Sequence, residues 1–529
     1  MTDQQPDIEA RTERLGWRVL NLSYLRNPHD LFAGVVYAVL IIGGIAIFVA
    51  ALWMLGRTIG AIFDSARSPD DINKLLLGLA GLVGAPFVIW RVIIAARANR
   101  IATETAKENS RIAQENLYTS LLTKAVEQLG ATREEKVSVK GDDGKIETEI
   151  KTVPNTEVRL GAIYALEKLA RDYEPLHWPI MEILCAYVRK NCGPPPPEMS
   201  EEVRAAYRAV IPTVDQGILL TEWGSALRAP SVDVQAALTV IGRRGANRRA
   251  FEMKSRKASA NPDAWRLDFT GAALMKARLE GLHFEEAIFD GAHLEQALIH
   301  RAHLEGARLV GTHLEGAGLY RAHLECARLR GARLDGARLD EVHLESAELF
   351  ATHFESAMLM YAHLEDAKLI EVHLECARLM NAHLECAQLD GAYLEGALLY
   401  NASFKVASLA RTQLTDANLG GASLDDAWLD GVDLSAVKNL TSLQLVAAWG
   451  DAATALPPGV ERPVNERWLV DQVQAKREAE ARDARWDAWR ARRDYWLAEA
   501  RKRREAEEAK EAALRKPLPE GEGRPGGPG

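Results

Sequence analysis

A pattern of five residues constrains this chain more than any other feature. From Phe269 to Leu434 every fifth residue is Leu, Phe or Ile, without one insertion, and the 34 positions hold 28 Leu, five Phe and one Ile. Two residues before each of them stands a small residue, which is Ala in 26 of the 34 cases. A period of five fits neither a helix nor a strand, because both would scatter these residues over every face. Such a fixed short repeat predicts a solenoid.

The repeated unit reads small residue, variable residue, Leu or Phe, and two further variable residues, as in AHLEGARLVG. This motif resembles the pentapeptide-repeat family. The resemblance implies a right-handed quadrilateral β-helix with four units in each 20-residue coil. Its Leu/Phe/Ile and Ala series would point inward and its other three positions outward. We therefore expect an α+β multidomain protein in which α-helical segments flank a β-helix at 261–438. At about 4.8 Å between coils, 34 units would stack to roughly 40 Å.

A finer pattern places His before the central residue in alternate units. Because one coil takes twenty residues, these His should stack on two opposite faces. One face would carry His283, His303, His323, His343, His363 and His383, and the other His293, His313, His353 and His373. Acidic residues such as Glu285, Glu305 and Glu325 follow in the same units, whereas intervening units carry Arg308, Arg328 and Arg338. We take the first His column, these three Glu and three Trp named below as the candidate interaction surface.

The N-terminal third predicts a membrane anchor. After a polar segment at 1–30, residues 31–55 contain no charge for 25 residues, enough to cross a bilayer. A second apolar segment follows at 74–96 and contains Pro86 and Arg91. Together they predict a two-helix transmembrane hairpin at 31–96; the alternative is a buried helical hairpin in a soluble domain. Basic residues flank its outer ends, so both termini should be cytoplasmic at a bacterial inner membrane.

The segments between anchor and coil are predicted to be mainly helical. Residues 97–130 predict an amphipathic juxtamembrane helix, and 131–156 a loop or small hairpin around Gly141. Within 131–260 we expect helices at 157–192, at 200–211 and at 232–243, the last capped by Ser231. These helices should cover the first coil. The basic stretch at 243–257 predicts a solvated linker; contact with anionic lipid or with the acidic coil is the alternative.

Beyond the coil, the register breaks at Asn439, and residues 439–463 resemble the terminal segment of pentapeptide coils. Residues 464–516 predict a long charged helix, and 517–529 a disordered tail. Three Trp of this helix should lie on one stripe: Trp486, Trp489 and Trp496. That stripe predicts a docking surface, and packing on the coil or self-association is an equal alternative.

Function is less constrained than fold. The sequence contains no catalytic or nucleotide-binding motif that we recognise, so we expect no enzyme and no cofactor. Stacked His could hold zinc or copper in principle, but duplication explains the columns, and we predict no metal.

The favoured interpretation is a membrane-tethered scaffold for an unidentified protein partner, and a homo-oligomer is an open alternative. Residues 267–436 hold 27 Asp and Glu against 13 Lys and Arg, a net −14. The alternative is therefore a DNA mimic that binds a topoisomerase or another nucleic-acid-binding protein. Direct nucleic-acid binding is disfavoured, and a membrane-associated sensor or effector is a weaker possibility.

Overall fold

The computed structural model describes residues 42–50, 52–57, 60, 69–140, 146–196, 199–208, 222–261, 263–465 and 467–468. The chain forms two units, residues 1–117 and 118–529. Residues 42–50 and 52–57 of the first unit are helical, and helix α1 (Pro69–Leu129) begins in it. Among the residues described, no helix is both long enough and apolar enough to cross a bilayer. Much of the first predicted transmembrane segment, residues 31–41 and 51, lies outside this set.

Helix α1 joins two predicted elements into one. Its 61 residues run through the second predicted transmembrane segment and through the predicted juxtamembrane helix without a break. Pro86 lies within it, although proline removes one helical hydrogen bond. The two segments, whose boundary the sequence analysis placed at residue 97, are therefore parts of one continuous helix.

The second unit begins with a β-hairpin and a helical domain. Strands β1 (Thr132–Lys140) and β2 (Ile146–Pro154) pair antiparallel, with Lys136 opposite Ile150. Helices α2 (Thr156–Asp172), α3 (His177–Asn191) and α5 (Val232–Gly242) pack around buried residues such as Ile163 and Leu184. A short helix, α4 (Glu201–Arg208), lies between α3 and α5. Ser231 occupies the N-cap of α5, but its side chain makes no capping hydrogen bond, contrary to the prediction.

The basic stretch is not a solvated linker but mostly helix α6 (Ala246–Ala258), held by ion pairs. Arg248 reaches Glu174 at 2.8 Å, Arg249 reaches Glu285 of the first coil at 3.3 Å, and Arg256 pairs with Glu286. Contact with the acidic coil, the alternative considered from sequence, is what the structure shows. The sequence did not reveal it because the acidic partners lie about 30 or more residues away along the chain.

From residue 268 the backbone winds as a β-helix with a period of twenty residues. Up to residue 418, each residue before a central residue forms a parallel bridge with the residue twenty positions later, for example His303 with His323. Each corner is a β-turn; Ala277 N, for instance, donates to Leu274 O at 3.0 Å. The central and small residues fill the interior, as predicted, and most have no exposed surface.

Each corner also contains one residue with positive φ, two places after the central residue. These residues have φ between 48° and 69°, and many are not glycine, for example Tyr361 and Val406. Because the backbone takes this conformation at every fifth residue, the coil turns at four corners in each twenty-residue turn. The repeat therefore requires a costly backbone conformation at many non-glycine residues.

The helical domain covers the first coil and satisfies its exposed backbone edge. Arg278 N–H donates to Gln235 Oε1 at 3.0 Å, while Gln235 Nε2 donates to Arg278 O at 2.7 Å. His283 N–H donates to Gly242 O at 2.8 Å, at the end of α5. An open sheet edge leaves backbone N–H and C=O groups unpaired. The Gln235 side chain pairs both groups of Arg278, as a neighbouring strand would.

The far end continues beyond the predicted boundary at residue 438. Trp428 bridges Trp449 and Asp433 bridges Ala455, so the segment that was predicted as a cap adds further bridges to the last coil. Helix α7 (Ser442–Leu445) lies between these bridges. Residues 464, 465, 467 and 468 are not helical, so the predicted C-terminal helix does not begin at residue 464.

Candidate functional site

The candidate surface consists mainly of two columns of stacked imidazoles. The long ladder contains six residues on one face: His283, His303, His323, His343, His363 and His383. Neighbouring rings lie 4.4–4.9 Å apart between centroids and within about 10° of parallel. The short ladder holds two stacked pairs, which Arg333 separates: His293 with His313, and His353 with His373. The stacking predicted from a twenty-residue coil is therefore present on both faces.

A carboxylate lies beside each ring, in a position that was expected to point outward. His283 Nδ1 lies 2.8 Å from Glu285 Oε1, His303 Nδ1 lies 2.8 Å from Glu305, and His323 Nδ1 lies 3.2 Å from Glu325. Several of these acids are nearly inaccessible; Glu295 and Glu315 are 3% and 2% exposed. The prediction that this position points to solvent is wrong, because the imidazole covers the carboxylate. Each unit of the ladders is thus a half-buried His–Glu pair.

These pairs determine the electrostatics of the ladders. The hydrogen bond to Glu315 raises the pKa of His313 above its usual value. Burial opposes the ionisation of Glu285, but the hydrogen bond from His283, a backbone hydrogen bond and the nearby charges together outweigh it and leave the pKa of Glu285 lowered. The sequence could not decide between repulsion along a His column and attraction to the acids. At the His313–Glu315 pair attraction to the acid dominates, which favours the charged imidazole.

The three tryptophans assigned to the candidate surface, Trp486, Trp489 and Trp496, lie outside the described residues. Trp468, on the same predicted helix, is buried against the far cap, where its Nε1 donates to Leu445 O at 3.2 Å. This residue therefore closes the end of the core. His177, beside Trp178, is also buried, and its Nε2 lies 2.6 Å from Glu252 Oε1 within the helical domain.

A second surface feature was missed from the sequence. On the three successive coils whose central residues are Leu359, Leu379 and Leu399, six outward positions of one face carry apolar side chains, and Arg378 lies between two of them. We call this set the apolar strip: Met358, Met360, Tyr361, Met380, Leu398 and Tyr400. Tyr361 is 53% exposed and Tyr400 is 38% exposed. Reading the outward positions at intervals of twenty residues would have found the strip.

Comparisons with known proteins agree with the repeat geometry. Residues between 268 and 435 match the family model of pentapeptide repeats in eight copies. No curated protein matches the chain. Among solved structures, the chain is similar to HetL, a pentapeptide repeat protein involved in heterocyst differentiation regulation from the cyanobacterium Nostoc sp. strain PCC 7120. The identity is 28%, over 38% of this chain and 86% of HetL, with a TM-score of 0.23.

Two further solved structures are similar over parts of this chain. Full-length QnrB1, a plasmid-mediated fluoroquinolone resistance protein, is 17% identical over 39% of this chain and 96% of its own, with a TM-score of 0.20. Rfr23, from the cyanobacterium Cyanothece 51142, is 25% identical over 25% of this chain and 63% of its own, with a TM-score of 0.15. The matched stretches together cover the region that winds as the β-helix, so residues 268–435 of this chain are pentapeptide repeats.

Proposed function

We propose that this protein is a non-enzymatic scaffold whose β-helix presents its outer surface to a protein partner. The apolar strip is the observation that carries the proposal. Single exposed apolar residues are normal on a soluble protein, whereas apolar side chains grouped on one face of three successive coils are typical of an interaction site. Tyrosine and methionine are also enriched at the centres of protein interfaces.

The backbone supports this proposal because it is rigid before any partner binds. In the middle of the coil each bridge residue both donates to and accepts from the coil before it; Met358 N–H donates to Ala337 O at 2.9 Å, and Met358 O accepts from Leu339 N–H at 2.7 Å. A preorganised surface loses little conformational entropy on binding. The strip would therefore bind as a fixed template, and its partner would adapt to it.

Site-specific photocrosslinking tests the scaffold proposal. A photoreactive amino acid replaces Tyr361 in the full-length protein, expressed in its native host, and the matched control replaces the exposed Arg330 on another face. We expect one discrete protein adduct from position 361 and none from position 330. Tyr361→Glu, with the photoreactive group moved to position 400, should abolish that adduct. Equal labelling from positions 330 and 361 would refute a specific surface.

Imitation of duplex DNA remains the second candidate, because residues 267–436 carry a net charge of −14. Two observations count against it. Carboxylates such as Glu295 and Glu315 are buried beneath imidazoles, and Arg328 and Arg330 interrupt the negative surface. We expect no protection of gyrase supercoiling by the full-length protein in detergent, and clear protection at low salt would favour the mimic.

We further propose that the scaffold is tethered to a bacterial inner membrane with both termini in the cytoplasm. This proposal rests on the sequence, namely the 25 uncharged residues at 31–55 and the arginines that flank the apolar region. The full-length protein should sediment with membranes and resist carbonate extraction. Recovery in the soluble fraction would refute the tether, and the scaffold proposal would stand without it.

A further inference from the structure

We propose that stacked pairs of imidazoles in the two ladders bind divalent transition-metal ions such as Zn²⁺, Ni²⁺ or Cu²⁺ through their Nε2 atoms. The clearest pair is His353 and His373, whose ring centroids lie 4.5 Å apart with 9° between the ring planes. Both side chains are partly accessible, at 28% and 29%. This inference concerns sites that are separate from the apolar strip and does not depend on a protein partner.

The carboxylate beside each ring determines which nitrogen is available. His353 Nδ1 lies 3.2 Å from Glu355 Oε1, and His373 Nδ1 lies 3.1 Å from Glu375 Oε1. A neutral imidazole that donates from Nδ1 to a carboxylate keeps its lone pair on Nε2. Metal-ligating histidines in proteins commonly have this carboxylate support, which fixes the tautomer and raises ligand basicity. The sequence predicted no metal because it did not show that an adjacent carboxylate orients each ring.

The spacing of the rings is close to what one shared ion needs, but their orientation must change. Two nitrogens bound to one tetrahedral ion at about 2.1 Å lie roughly 3.4 Å apart. In rings stacked 4.5 Å apart and 9° from parallel the two Nε2 lone pairs point the same way, so each ring must turn by roughly 50° before both lone pairs meet at the ion. Two protein ligands leave the remaining coordination positions open to water, so each site is an open one. The net negative charge of the coil favours cation binding.

The ladders also determine how many such sites exist. The six rings of the long ladder divide into three adjacent pairs. The short ladder has two pairs that Arg333 keeps apart, because this residue bridges both His313 and His353. Three pairs and two pairs give five ions at saturation. Binding by single imidazoles would instead scale with the ten ladder histidines.

Two variants separate pairwise binding from binding by single imidazoles. The alternating variant breaks every pair but retains five ladder imidazoles; its substitutions are H303Q, H313Q, H343Q, H373Q and H383Q. The short-ladder variant removes four imidazoles but leaves three pairs intact; its substitutions are H293Q, H313Q, H353Q and H373Q. Glutamine suits this position because Gln388 and Gln413 already occupy it in later coils.

Full-length protein is freed of metal with a chelator, titrated with ZnCl₂ or NiCl₂ by calorimetry, and analysed for metal after desalting. We expect five ions on the wild type, three on the short-ladder variant and none on the alternating variant. Similar uptake by the two variants, or no saturable uptake by the wild type, would overturn the proposal.

Two checks do not depend on the folding of those variants. Saturating Zn²⁺ should protect the ladder histidines of the wild type from carbethoxylation by diethyl pyrocarbonate, and unchanged labelling would count against the sites. The E355Q and E375Q substitutions retain both ligands but replace their carboxylate supports. Together they should weaken one of the five sites by about 10- to 100-fold. Unchanged affinity would show that the carboxylates do not position the ligands.

Discussion

At the corner residues, whether an exchange of Gly and Ala raises or lowers the free energy of unfolding should depend only on the backbone conformation. Gly291 and Ala351 occupy equivalent corners of the same face, three coils apart, with φ of 61° and 48°. A Cβ added at Gly291 would have no atom within 4 Å, so Gly291→Ala changes the backbone preference without a steric clash. Alanine in this conformation costs about 1–2 kcal/mol. Restricting the unfolded chain recovers about 0.4–1 kcal/mol.

The net expectation is that Gly291→Ala destabilises the β-helix by about 1 kcal/mol and that Ala351→Gly stabilises it by a similar amount. Guanidinium unfolding of the full-length protein, followed by circular dichroism, measures both changes in the transition of the coil. Ala410→Gly is the matched control, since Ala410 lies one residue before a corner of the same face and is not among the residues with positive φ. It should destabilise by about 0.5–1 kcal/mol. The reasoning fails if Gly291→Ala and Ala351→Gly shift stability in the same direction.

Three further changes test the core, the near cap and the far cap. Leu344 has no exposed surface, so Leu344→Ala should cost about 3–5 kcal/mol of unfolding free energy, measured in the same denaturant titration. Gln235→Leu removes both hydrogen bonds to the Arg278 backbone and should speed hydrogen exchange at that amide; unchanged exchange would contradict its role at the edge. Burial opposes ionisation of Asp451, but hydrogen bonds from Gly431 N–H and Thr454 outweigh it and lower its pKa. The stability it contributes is therefore present above about pH 3.8 and lost as the pH falls through its lower folded value. Tryptophan fluorescence should report this acid loosening of the cap, and Asp451→Asn should lack it.

The period of the repeat is what made the coil predictable. Once every fifth residue is assigned to the interior, the stacking of His303 on His323 follows from counting twenty residues. Burial of Glu295 did not follow, because a carboxylate alone favours solvent and its cover, His293, lies beside it only after the corner is formed. The spacing of a repeat therefore predicts which residues stack on one face better than it predicts how deeply each side chain is buried.

The elements outside the coil were harder to predict because their partners are distant in the sequence. Arg249 is an ordinary solvated cation until it meets Glu285, 36 residues later. The apolar strip differs, since the spacing of twenty residues alone places its side chains on one face.

The two caps restrict how any partner can approach. At the near end Gln235, Cys192 and Gly242 accept from backbone N–H groups of the first coil, at Arg278, Ala273 and His283. At the far end Gln444 donates to Leu419 O and Ala422 O. These edge groups are already paired, so growth of the coil by strand addition at those positions would require displacing the caps.

A partner must therefore bind from the side, where each face carries different exposed side chains. The ladders offer ring nitrogens, and the apolar strip offers tyrosine and methionine. A metal ion on the short ladder and a protein on the strip would occupy different faces of the same coils. In a variant whose six long-ladder histidines are replaced by glutamine, saturating Zn²⁺ should therefore leave crosslinking from position 361 unchanged.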